Sequence, residues 1–386
     1  TTTISNATTL ASTPTVVGEP YPVSVLVAAV APGAGVPSGT VNVSDGTGGS
    51  CVITLSGGAG TCNLTSTSAG PKTISATYVG DANFNGSGPA TASHTVNKAN
   101  TTTLITNAAA LGSTPTVVGQ SYAVNWSVSV NNPGALGVAL TGNVTVDAGG
   151  GNTCTAAVSA GTCNIVSTTA GLKSITATYA GDTNYNGSAS AGASHTVNKA
   201  DTTTTITNAA ALGSTPTVVG QSYAVNWSVS VNAPGALGAT LTGNVTVSDG
   251  SQTCTAAVSA GTCNLTSTTA GPKTITATYT GDTNYNGSTS AGAPHSVGLP
   301  GTTTTITADT PDPSVVGQAY NVAVTVTVNA PGMGTPTGTV TVSDGTGGTC
   351  NFTLSAGAGN CNLTSTTAGA KTLTAVYAGD SNFNGS

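Results

Sequence analysis

The chain repeats itself, and the length of the repeat constrains its fold more than any other feature. Val-Val-Gly recurs at Val16-Val17-Gly18, Val117-Val118-Gly119, Val218-Val219-Gly220 and Val315-Val316-Gly317, and Gly-Asp recurs at Gly80-Asp81, Gly181-Asp182, Gly281-Asp282 and Gly379-Asp380. The spacing, 97 to 101 residues, is that of a whole domain rather than of a solenoid unit that needs neighbours to bury a core. Four domains follow: residues 1–98, 99–199, 200–299 and 300–386.

Within a unit the period is two. In the second unit Tyr122, Val124, Trp126, Val128 and Val130 alternate with Ala123, Asn125, Ser127 and Ser129, which describes a strand with one apolar and one polar face. Further strands are expected over 101–106, 143–146, 154–158, 163–166, 173–179 and 194–197, separated by turn formers such as Pro133-Gly134 and Asn186-Gly187. No segment shows helical periodicity. Seven short strands with regular turns in about 100 residues predict an all-β fold, an immunoglobulin-like sandwich.

Composition removes several function classes. Only 5% of the residues are charged, all six basic residues are lysines, and the net charge is −6; nucleic-acid binding needs a clustered basic surface. Disorder needs low hydrophobicity and high charge, whereas 38% of this chain is hydrophobic. No apolar run reaches the 18 or more residues of a membrane span.

The succession T-T-T-T-I-T over 302–307, P-x-V-V-G-Q over 313–318, G-T-V-T-V-S-D-G over 338–345 and K-T-L-T-A-V-Y-A-G-D-S-N-F-N-G-S over 371–386 resembles the tandem bacterial Ig-like repeat domains of large secreted and cell-surface proteins. The resemblance spans the chain. It implies stalks, adhesin repeats or fibre subunits, since one fold serves all three. The junctions, as in His94-Thr95-Val96-Asn97-Lys98-Ala99-Asn100-Thr101, leave little chain between the last strand of one unit and the first of the next. Short links restrict rotation, so an extended rod of four modules, each roughly 40 Å long, is expected.

Eight cysteines divide two per unit: Cys51 and Cys62, Cys154 and Cys163, Cys254 and Cys263, Cys350 and Cys361. A disulfide within each unit is the expectation, bridging neighbouring strands of a hairpin rather than two sheets as in antibody domains, and placing the protein in an oxidising, extracellular setting. A tight turn at Ser159-Ala160-Gly161 does not set Cys154 directly opposite Cys163, so the bridge is diagonal or the turn asymmetric.

The histidines, His94, His195 and His295, occupy one place in successive units. Identical recurrence in three successive units favours packing over a catalytic constellation; no catalytic residue, metal or cofactor is expected. Lys173 shares parity with Ile175, Ala177 and Tyr179, and snorkelling at the sandwich edge is preferred to a Lys–Asn isopeptide bond, because the recurrent acids (Asp45, Asp249, Asp344; Asp81, Asp182, Asp282, Asp380) fall in turns. Twelve acids in four units are too few for convergent calcium cages. Fifteen Asn-x-Ser/Thr sequons occur among 31 asparagines, and candidate glycosylation sites are Asn42, Asn63, Asn125, Asn143, Asn226, Asn244, Asn264, Asn351 and Asn362.

Units one to three run past N-[FY]-N-G-S into a final strand ending at Val96, Val197 and Val297; the fourth has no counterpart before Ser386. Continuation into further modules, self-association, or donation of a strand from another chain to the fourth unit would each complete it. The sequence therefore predicts a non-enzymatic extracellular or cell-surface structural protein, a stalk or filament of tandem sandwiches. The alternatives are an adhesin repeat region that binds a glycan or protein, and the accessory array of a carbohydrate-active enzyme.

Overall fold

The computed structural model describes all 386 residues, which form two compact units, Thr1–Asn198 and Lys199–Ser386. Each unit holds two of the repeats.

Repeat 2 shows how the sequence builds the sandwich. Strand Thr101–Ile105 pairs with Ser121–Val130, which pairs in turn with Thr162–Val166, giving a three-stranded antiparallel sheet. The facing sheet runs Thr153–Ala157, Asn143–Asp147, Gly171–Tyr179, Ala193–Asn198 and, in parallel, Thr116–Val117; Ser188–Ala189 pairs with the end of Gly171–Tyr179. Alternation puts Val124, Trp126, Val144, Val146, Ile165, Ile175, Ala177 and Tyr179 between the sheets, all buried. A fully buried Val, Leu or Ile contributes about 1.5–3 kcal/mol, so a few such residues per strand hold the two layers together. Repeats 1 and 3 use the same pairings. The seven expected strands are all present in repeat 2.

The expectation of no helix is corrected. Ala7–Ser12, Ala108–Ser113 and Ala209–Ser214 are six-residue α-helices. Their periodicity is invisible because each buries one side chain, Leu10, Leu111 or Leu212. The preceding Asn fixes the start: the Asn107 Nδ2 donates to the carbonyl of Ala123 at 3.0 Å, and its Oδ1 accepts the N–H of Asn125 at 2.9 Å.

The cysteines pair as Cys51–Cys62, Cys154–Cys163, Cys254–Cys263 and Cys350–Cys361, with Cα–Cα separations of 6.0 to 6.2 Å. Their placement differs from a hairpin cross-link. Cys154 lies opposite Val146 in one sheet and Cys163 opposite Val124 in the other, so the bridge staples the edge of one sheet to the edge of its partner. The chain between them does not make a hairpin turn but changes sheet, through the 3₁₀ turn Val158–Ala160 and Gly161 at φ +66°. Val158, expected at a strand end, belongs to that turn.

Repeat 4 departs from its siblings. Its sheets are Thr302–Thr310, Ala319–Val328 and Ala358–Thr364, and Thr349–Thr353, Thr339–Ser343 and Thr374–Tyr377. It has neither the short helix nor the final strand, and its last strand is four residues long where repeat 3 has the nine of Gly271–Tyr279.

Candidate functional site

The recurring Gly-Asp motif builds a clamp on the linker between repeats. In repeat 2 the Asp182 Oδ1 accepts the N–H groups of Asn184 at 2.8 Å and Tyr185 at 2.9 Å, while Oδ2 accepts the Thr141 N–H at 2.9 Å, the Thr141 hydroxyl at 3.0 Å and the Tyr179 hydroxyl at 3.1 Å. Burial alone raises the pKa of Asp182, but these hydrogen bonds outweigh it and hold the carboxyl below its usual value. The shaped loop then grips the linker. Ala99, fully buried, donates its N–H to the Asn184 carbonyl at 3.0 Å and accepts the Asn186 N–H at 2.9 Å; Lys98 Nζ donates to the Asp182 carbonyl. The Asn184 Oδ1 reaches into repeat 1 and accepts the Ala69 N–H at 3.0 Å. In the second unit Ala200 is held the same way by Asn284 and Asn286, and the Asn384 N–H and Nδ2 donate to the carbonyls of Pro300 at 3.0 Å and Leu299 at 2.9 Å.

Val-Val-Gly is the other half of the junction inside each compact unit. Val17 is fully buried and belongs to the same core as repeat 2; its carbonyl accepts the Ala135 N–H at 3.2 Å. Gly18 sits at φ +79°, where a Cβ would lie 2.4 Å from the Ala135 carbonyl oxygen. In the second unit the Val219 carbonyl accepts the Met333 N–H at 3.2 Å, and a Cβ on Gly220 would meet the Met333 backbone at 2.6 Å. Recurrence and turn chemistry single out V-V-G and Pro-Gly, but nothing local in the sequence shows that one docks on the other.

The three histidines are buried tethers. His94 Nδ1 bonds the Leu10 carbonyl at 2.9 Å, Nε2 bonds Thr15 Oγ1 at 2.8 Å, and the ring lies on Tyr21 with centroids 4.0 Å apart. Each ring thus ties the short helix and the parallel strand to the final strand. His195 and His295 repeat the arrangement with Leu111, Thr116 and Tyr122, and with Leu212, Thr217 and Tyr223. The tyrosine continues inward: Tyr21 pairs with the Ser66 hydroxyl at 2.8 Å, and Ser66 donates to Asp45 Oδ2 at 2.6 Å.

Asp45, Asp249 and Asp344, expected in turns, are turn residues whose carboxylates point inward and are buried. Burial raises the Asp45 pKa, and the Ser66 hydroxyl with the N–H groups of Thr47 and Gly49 more than reverses it. The Ser365 hydroxyl and the N–H groups of Thr346 and Gly348 hold Asp344 at about 2. Every acid of this set is occupied by amides and hydroxyls, and no three His, Cys, Asp or Glu side chains converge. Lys72 Nζ donates to the hydroxyls of Thr47 and Ser68 at 2.9 and 2.7 Å; Lys173, Lys273 and Lys371 donate to Thr169, Thr269 and Thr367. Among the candidate glycosylation sites, Asn42, Asn63, Asn143, Asn226, Asn244, Asn264, Asn351 and Asn362 are exposed on strands, and Asn125, partly covered, accepts the Thr162 hydroxyl at 2.7 Å.

The sequence matches the bacterial Ig-like domain (group 3) family four times, over residues 8–97, 109–198, 204–298 and 303–386. The chain belongs to that family. It is a tandem array of bacterial Ig-like domains, in which the linker clamp and the Val-Val-Gly contact join the two domains of each compact unit. Among solved structures it is similar to invasin, a bacterial integrin-binding protein, at 13% identity with a TM-score of 0.35, covering 98% of this chain and 76% of that one. It is also similar to the fibronectin(III)-like modules of Clostridium thermocellum CbhA, at 15% identity with a TM-score of 0.20, covering 51% and 93%. No curated protein matches the chain at the sequence level. No helix is long and apolar enough to cross a membrane.

Proposed function

We propose that this array is a non-enzymatic structural region of an extracellular or cell-surface protein, a stalk or filament segment in which the domains act as spacers. The observation that carries the reading is the linker clamp. A flexible tether would leave Ala99 solvated; here it is fully buried and both its N–H and its carbonyl are bonded by the following domain of the same unit. Chain atoms that elsewhere give a hinge are used to remove one. The disulfide staples support the same reading, since they add resistance to unfolding in an oxidising compartment. The partners this implies are further Ig-like modules, in the same polypeptide or by self-association.

Small-angle X-ray scattering of the purified chain tests the proposal. Four modules of about 40 Å in line give a maximum dimension near 160 Å and a scattering profile of a stiff particle. A maximum dimension below about 100 Å, with the modules folded back on each other, would overturn it.

A further inference from the structure

Asn-Gly recurs at Asn85-Gly86, Asn186-Gly187, Asn286-Gly287 and Asn384-Gly385, and in the linker clamp the asparagine is a working part. The Asn186 Nδ2 donates to the Asn100 Oδ1 at 2.9 Å, and the Asn286 Nδ2 donates to the Asp201 Oδ1 at 2.7 Å. Asn100 and Asp201 occupy the same place in two successive linkers. The bond to Asp201 is charge-assisted and so the stronger of the two.

Asn-Gly is also a reactive pair, because glycine carries no side chain to shield its nitrogen from the preceding side-chain amide. Asn286 and Gly287 are both exposed, and the Gly287 N–H donates to no group of the chain. Asn286 is pinned by its backbone N–H, which donates to the Ala200 carbonyl at 2.9 Å, and by its carbonyl, which accepts the Thr202 hydroxyl at 2.7 Å. Neither bond uses the two atoms that would react, Asn286 Cγ and Gly287 N.

We infer that Asn286 is a self-modification site, and that loss of its side-chain amide releases the linker at residues 199–201 from repeat 3. The Gly287 nitrogen attacks Cγ. An N–C bond forms, the Cγ–Nδ2 bond breaks, and ammonia leaves with the Gly287 proton, closing a succinimide. Water then opens the ring at either carbonyl, the ring nitrogen regains a proton, and residue 286 becomes aspartate or isoaspartate. The sum is amide plus water to carboxylate plus ammonium, with no other reactant.

The product lacks the donor that held Asp201 and sets a second carboxylate against the first, at a distance where like charges repel. The linker's one cation, Lys199, is engaged by the Asp282 carbonyl. The same conversion at Asn186 is tolerated, since Asn100 can turn its amide and donate to the new carboxylate. One difference between the linkers, Asn100 against Asp201, thus makes one clamp sensitive to ageing and the other resistant. The inference stands apart from the spacer reading, because it concerns how the linker is held and not what the array spans.

Peptide mass spectrometry of the 386-residue chain, stored at about pH 8 and about 37 °C, tests the chemical step, with a synthetic peptide of residues 282–291 as the clock. A gain of about 1 Da at residue 286 is expected, at a rate within about tenfold of the peptide's, since folding protects an exposed pair only through local closure. No gain there after about ten peptide half-times overturns the inference. Hydrogen exchange of the Asn286→Asp and Asn186→Asp chains tests the release. The Ala200 amide should exchange at least about tenfold faster in the first, and the Ala99 amide less than about threefold faster in the second. Adding Asp201→Asn to Asn286→Asp should restore protection of Ala200, because an amide again faces a carboxylate. Equal acceleration in the two single variants, or no rescue by Asp201→Asn, overturns the inference.

Discussion

Trp126 and Trp227 are the only tryptophans, and each is buried with an indole N–H that has no hydrogen-bond partner. Such a group costs about 1–3 kcal/mol, so its presence calls for a packing reason. The four repeats supply one. Where repeats 2 and 3 place Trp126 and Trp227, repeats 1 and 4 place Val25 and Val324; where repeats 1 and 4 place Ile53 and Phe352, repeats 2 and 3 place Ala156 and Ala256. Ile53, Ala156 and Phe352 each face the same valine of the neighbouring strand, Val41, Val144 and Val340. Large and small side chains have exchanged sides of one core. Trp126→Val should therefore cost about 3 kcal/mol through the cavity it leaves, and Ala156→Ile about 1–3 kcal/mol through overpacking. The double substitution should recover at least 1 kcal/mol of their sum, because each repairs the other. Calorimetric unfolding of the four chains measures the cycle; additivity within 0.5 kcal/mol would show that the two positions do not share a cavity.

At the scale of elements, the strands were legible because a period of two is a local signal. The helix was not, since six residues with one buried leucine carry no period to read. The cysteine pairing was legible from its recurrence, but its geometry was not. Whether residues 154 and 163 cross-link a hairpin or two sheets depends on which distant strand each joins, Val146 or Val124, and that register is non-local. The distinction matters for what the bridge does. A hairpin cross-link would tighten a turn that is already closed, whereas an edge staple keeps the two sheets from parting along an open side. The loops are short, with sequence separations of 9 and 11, so chain entropy gives about 2.5–3 kcal/mol per bridge. Cys154→Ser with Cys163→Ser should lower the stability of repeat 2 by that amount and leave the other repeats unchanged. Denaturant unfolding with and without reductant checks it: the variant must lose the reductant sensitivity of one transition only. Loss of all four transitions together would mean that the repeats do not unfold as separate units.

For the whole molecule, what the sequence marks as its most regular strings, V-V-G and G-D, are the joints rather than the cores. Their recurrence was visible, but their role was hidden, because the loop that each shapes within its own domain also touches a segment of an adjacent domain or linker. Within a unit the joint has a steric condition that can be isolated. Gly18, Gly220 and Gly317 all have positive φ, at +79°, +82° and +82°, so alanine at any of them incurs the left-handed backbone cost of about 1 kcal/mol. Only two of them meet a neighbour. A Cβ at Gly18 would be 2.4 Å from the Ala135 carbonyl oxygen and one at Gly220 2.6 Å from the Met333 backbone, whereas nothing lies within 4 Å of the same position at Gly317. Backbone atoms cannot rotate away as a side-chain tip can, so Gly18→Ala must separate Val17 from Ala135 and break the hydrogen bond between them. Gly317→Ala is the internal control for strain without a clash. The expected result is that Gly317→Ala lowers one unfolding midpoint slightly, while Gly18→Ala also exposes Val17 and Ala99, uncouples repeats 1 and 2, and raises the hydrogen-exchange rate of the Ala99 and Ala135 amides by at least tenfold. Equal exchange in the two variants would mean that the clamp on Ala99 holds the joint alone and that the Val-Val-Gly contact is incidental to it.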